Sequence, residues 1–207
     1  MKRDGPKVEL NRLRRLVREA EDQFVKSHLG APKLSPPSRR EILDVAAYVV
    51  LIHGAFENFV EGLALWVLGR SVNNWTMKKR TTRSTASLLL YQGIPPNDAP
   101  GQQLSVYDNL RNSLDLAKTR VSGAVQSNNG IEIQHLRSLF LPLGVNVPDD
   151  PILTASLNLL VKMRHQWAHQ YRYAAIVTRS ANDARTTVSD CLTLAQKLSA
   201  EVAALRP

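Results

Sequence analysis

Apolar residues recur at helical intervals along most of the chain, and nowhere do they alternate convincingly as in a half-buried strand. From residue 7 to about 28, Leu10, Leu13, Val17, Ala20 and Phe24 form one apolar stripe. Gly30, Pro32, Pro36 and Pro37 end that helix, and Ser38 followed by Glu41 is a capping-box pattern that starts a second one, running to about Leu68. This second helix is apolar almost all round, as expected at the centre of a bundle. Its exceptions, His53, Glu57 and Glu61, are spaced four apart and share a face. They either emerge at the bundle's edge or pair with a cation, Arg164 being the candidate.

Residues 71–74 read as a turn, and a further helix is expected through the following basic residues to Tyr91. Gly93, Pro95, Pro96, Pro100 and Gly101 make the clearest break. Neither side of it carries enough core alone, so residues 1–207 are expected to form a single all-α domain, with 1–6 a mobile tail. Helices are expected from 102 to about 126 and from 132 to 140, and Ser180 with Asp183 starts the last one. Residues 172–179 stay ambiguous between extended and helical.

The chain is organised around a long helix over 152–171, introduced by Asp149, Asp150 and Pro151. Leu153, Leu157, Leu160, Val161, Trp167, Ala168 and Tyr171 share one arc, widened by Ile152, Leu159 and Met163. His165 and His169 project from the opposite face with Thr154, Asn158 and Lys162. Arg164 falls inside the apolar arc, where a guanidinium needs a carboxylate, an opening to solvent or an anionic ligand.

Composition bounds this picture without specifying it. In 207 residues, 43% hydrophobic and 22% charged, there is room for a substantial core. The single cysteine, Cys191, excludes an internal disulfide, and its helical setting suits packing better than nucleophilic chemistry. The N-terminal residues lack a signal-peptide pattern, and the greasiest segment is interrupted by His53, Glu57, Asn58 and Glu61. A cytoplasmic protein without membrane contact is therefore expected. The net charge of +9 favours a polyanionic partner, and its densest run is Lys78, Lys79, Arg80 and Arg83, with Lys162 a further cation on the central helix. A solvated surface is the alternative for such a run.

Arg164 and His169, separated by four residues at the end of an apolar helix and followed by a tyrosine-bearing segment, resemble the R-x4-6-H motif of the HEPN superfamily. The HGAFENFVEGL run of the second helix is similar to the glutamate-bearing helix of its RiboL-PSP branch. The resemblance implies a HEPN-like bundle with two long central helices. It further implies a metal-independent endoribonuclease acting as a homodimer through a composite interface site, with His169 as acid/base, Arg164 on the phosphate, and His165 and Glu57 in support. A role as a toxin or anti-phage effector, with an antitoxin or defence partner, belongs to the same expectation.

The chemistry is consistent with those residue types. Cleavage by the ribose 2′-hydroxyl needs a base for its proton and a fixed cation for the phosphoryl charge. Imidazole titrates near neutrality, and guanidinium stays charged and offers phosphate a planar fork. The two side chains are ~140° apart on an ideal helix, which requires a helix end or a broad groove. The i,i+4 pair His165 and His169 also has the spacing of two zinc ligands, but no acid or cysteine accompanies it, so neither metal nor other cofactor is expected. The competing reading is a noncatalytic HEPN-like module that binds RNA or docks a protein.

Overall fold

A computed structural model describes residues 5–30, 37–93, 105–169 and 180–205. Seven α-helices are found among them: α1 (Pro6–Ala20), α2 (Arg39–Lys78), α3 (Arg83–Gln92), α4 (Val106–Gln126), α5 (Ile133–Phe140), α6 (Pro151–His169) and α7 (Ala181–Ala204). No strand occurs among the described residues. A π-helical turn (Glu21–Val25) and a 3-10 turn (Lys26–His28) extend α1, so the expected first helix is present with an end that first widens and then tightens.

The axis of the bundle is α2, 40 residues long, or roughly 60 Å. By length and apolar content it could cross a membrane, a property also expected of a bundle's core helix. Here Val45, Tyr48, Val49, Ile52, Phe56, Phe59, Val60, Leu63 and Val67 are buried against the other helices. Ser38 starts it by accepting a hydrogen bond from the Glu41 amide at 3.2 Å. The turn expected at 71–74 is not there, because those polar groups are satisfied within the helix and by α3. Ser71 Oγ donates to the Val67 carbonyl at 2.8 Å, and Thr85 Oγ1 reaches the Ser71 carbonyl at 3.3 Å. The helix ends instead at Lys79, whose φ of 55° is left-handed. The helix expected through the basic run is accordingly split: Lys78 closes α2, Lys79 and Arg80 lie in the connection, and Arg83 opens α3.

Helix α6 lies against α2 and α7. Asp150 Oδ1 accepts from the amides of Ile152 and Leu153 at 3.2 and 3.3 Å, capping the start that the Asp-Asp-Pro pattern announces. Leu153, Leu157, Leu160, Val161 and Met163 are buried, whereas Ile152, expected to widen the apolar arc, is 72% exposed, because it lies about 100° round the helix from Leu153. Contacts between α6 and α7 are polar as well as apolar: Ser156 Oγ donates to Asp190 at 2.7 Å and Lys197 to Asp150 at 2.8 Å. The reciprocal Ser180–Asp183 capping box starts α7. One hydrophobic core runs from Leu10 to Val202 and includes Cys191, whose thiol burial pushes up to about 12.

Candidate active site

The acidic face of α2 meets α6 near its C-terminal end. His53 is 2% exposed, and its Nδ1 lies 3.5 Å from Glu57 Oε2. Burial, and then the charges of Arg164 and His165, push the His53 imidazole down to about 4, so it is neutral at physiological pH. Its Nε2 is buried and makes no hydrogen bond among the described residues. Glu57 is half-buried, and burial raises its carboxyl above the usual range. Arg164 opposes that rise, Glu61 adds to it, and His135 opposes it.

Arg164 therefore lies close enough to Glu57 for the carboxyl to feel its charge, yet no salt bridge joins them among the described residues. Its guanidinium is half-buried, and its expected environment is met only in part: a carboxylate is near, but not in contact. His165 is exposed on the opposite side with Asn158 and Lys162. His169 closes α6, and its side chain, like the whole of Tyr171, lies outside the described residues. The juxtaposition of Arg164 and His169 side chains thus stays an expectation. Among the described residues no three His, Cys, Asp or Glu side chains converge as a metal-binding group.

A third element completes the polar cluster. In the segment before α5, Asn128 Nδ2 donates to Glu61 Oε1 at 3.0 Å. Just beyond it, the ring of His135 packs on Gly130 so closely that a Cβ there would lie 2.4 Å from His135 Nδ1. A side chain at position 130 would displace the His135 ring from this position. His53 is legible in the sequence as the first of three polar residues spaced four apart on α2. His135 and Asn128 gave no spacing signal, because they reach the site only through the fold.

The basic run lies elsewhere. Lys78 is 21 positions beyond Glu57 on α2, which places it roughly 30 Å along the helix. Lys78, Lys79, Arg80 and Arg83 are all exposed. Lys79 Nζ donates to Tyr107 Oη and lies 4.4 Å from the centre of that ring, which is stacked on Trp75 at 6.0 Å. Arg83 Nη2 donates to Asn146 Oδ1 at 3.2 Å.

No curated protein and no solved structure matches the chain. A family model does, that of RiboL-PSP-HEPN, over residues 11–203. HEPN domains are often RNases, so the match carries a general connection to RNA. With nearly the whole chain matched and an all-helical bundle behind it, the protein belongs to the RiboL-PSP-HEPN family of the HEPN superfamily.

Proposed function

We propose that the protein is a metal-independent endoribonuclease that cleaves RNA by in-line attack of the ribose 2′-oxygen, leaving a 2′,3′-cyclic phosphate and a 5′-hydroxyl. The observation that carries this reading is Arg164: a half-buried guanidinium beside a carboxyl, with no salt bridge or hydrogen bond among the described residues. Such a group costs stability unless something anionic completes it. A phosphate supplies that charge, and the guanidinium fork in turn stabilises the charge developing on the phosphoryl oxygens. Glu57 restrains the guanidinium without neutralising it by contact. His169, one helical turn further on, takes the proton of the 2′-hydroxyl, and His165 and Lys162 help to hold the RNA strand. Homodimerisation brings two copies of the Arg164–His169 stretch into one composite groove. A toxin or anti-phage effector controlled by a partner protein is the biological setting that fits such an activity.

The test compares purified wild type, Arg164→Ala and His169→Ala on one single-stranded RNA, with end-group analysis of the products. His169→Ala should lose roughly a hundredfold or more in cleavage with RNA affinity little changed. Arg164→Ala should lose affinity as well as turnover. Undiminished cleavage by His169→Ala would remove that residue from the chemistry. A wild-type protein that binds but never cuts varied RNAs would favour the noncatalytic module.

A further inference from the structure

In-line cleavage involves two proton transfers, one from the attacking 2′-hydroxyl and one to the departing 5′-oxygen, and a single imidazole on α6 serves only one of them at a time. We propose that His135 is the second proton-transfer residue, the acid that protonates the 5′-oxygen as it leaves; this rests on the endoribonuclease reading above. Helix α5 packs against both α2 and α6, and it brings His135 close enough to the acidic face of α2 for the Glu57 carboxyl to feel its charge. Leu136, Leu139 and Phe140 anchor α5 in the core, and Asn128 ties the preceding segment to Glu61 at 3.0 Å. Gly130 supplies the flat floor on which the ring rests, since any Cβ would lie 2.4 Å from Nδ1 and 2.5 Å from Cε1.

Held in this way, the ring is half-buried rather than enclosed. Nδ1 is the inward nitrogen, buried and without a hydrogen bond among the described residues. Nε2, the other ring nitrogen, is the one we assign to the substrate. The Glu57 carboxyl, which feels both His135 and Arg164, is the counter-charge that an imidazolium donor needs next to a phosphate-binding cation. In the step itself, O2′ forms a bond to phosphorus while its proton passes to the base on α6. The P–O5′ bond breaks, and the Nε2 proton of His135 goes to O5′. His135 ends neutral and the base ends protonated, and exchange with water resets both.

The experiment uses the full chain and two otherwise identical RNA substrates, one with the natural 5′-oxygen at the scissile linkage and one with sulfur in its place. A thiolate departs without needing a proton, so loss of the acid should matter only for the oxygen substrate. We expect His135→Ala to cleave the oxygen-linked RNA roughly a hundredfold or more slowly and the sulfur-linked RNA at close to the wild-type rate. Equal losses on both substrates would assign His135 to packing or binding and overturn the proposal, as would no loss on either. Should His135→Ala fail to fold, judged by thermal unfolding, His135→Gln keeps a polar side chain on the Gly130 floor and is read by the same comparison. If wild type cleaves neither substrate, the endoribonuclease reading falls and takes the proposal with it. If wild type cleaves and only the His135 result fails, that reading stands.

Discussion

At His53 the environment departs from what the residue type suggests. A histidine in the middle of an apolar helix is buried to 2% exposure and held neutral, down to about 4, by burial and by the nearby charges of Arg164 and His165. In the unfolded chain the same imidazole takes up a proton near its ordinary value of 6.5. As pH falls below that value the unfolded state binds a proton that the folded state refuses, so stability falls, and the loss levels off once pH passes below about 4. The full effect is on the order of 3 kcal/mol. Glu57 acts in the opposite sense: its carboxyl is raised by burial, so protonating it at acid pH favours the folded state and offsets part of the loss. His53→Leu should therefore lose less stability than wild type between pH 6.5 and 4. The measurement is the unfolding midpoint against pH for both proteins, and parallel curves would mean that His53 is not the titrating group.

At the scale of elements, α2 separates two kinds of chemistry along one rod. The His53, Glu57 and Glu61 row lies near its middle, and Lys78, Lys79, Arg80 and Arg83 gather at its end, roughly 30 Å away. A short RNA cut beside Arg164 does not span that distance, whereas a longer strand does. Neutralising the four cations should weaken binding of long single-stranded RNA and reduce the slope of log affinity against log salt by up to about 3. Turnover of a short RNA at saturation should hold. Binding titrations at several salt concentrations test this, and an unchanged slope would leave the cluster as a solvated surface with its lysine occupied by Tyr107.

At the scale of the molecule, the site proposed above draws on three elements, α2, α5 and α6, and takes its cation and its base from side chains. Cleavage should accordingly persist in excess EDTA. Loss of activity in chelator with recovery on adding zinc or magnesium would overturn the side-chain mechanism, and His165 with His169 would then be the first ligands to examine. The composite interface proposed above would make turnover per chain depend on association, so specific activity should fall on dilution through the dimer dissociation constant. Specific activity that stays flat while sedimentation shows dissociation to monomer would confine the site to one chain.

Helix identity was legible because it rests on local periodicity and on caps: Ser38, Asp150 and the Ser180–Asp183 pair start helices through contacts a few residues long. The acidic row on α2 and the exposure of the basic run were legible for the same reason, since both follow from spacing and charge. Residues 71–74, three of them polar, misled because Ser71 makes hydrogen bonds to Val67 and from Thr85, the second of which only tertiary packing supplies. Tertiary structure alone also decided that Arg164 faces Glu57 without an ion pair among the described residues, and that the basic run lies far from it. His135 belongs with these. A histidine in a short helix announces nothing until the fold sets its ring on Gly130 and the Asn128–Glu61 bond ties the preceding segment to α2. Periodicity is a property of neighbours in sequence, whereas the field at a side chain is the sum over neighbours in space.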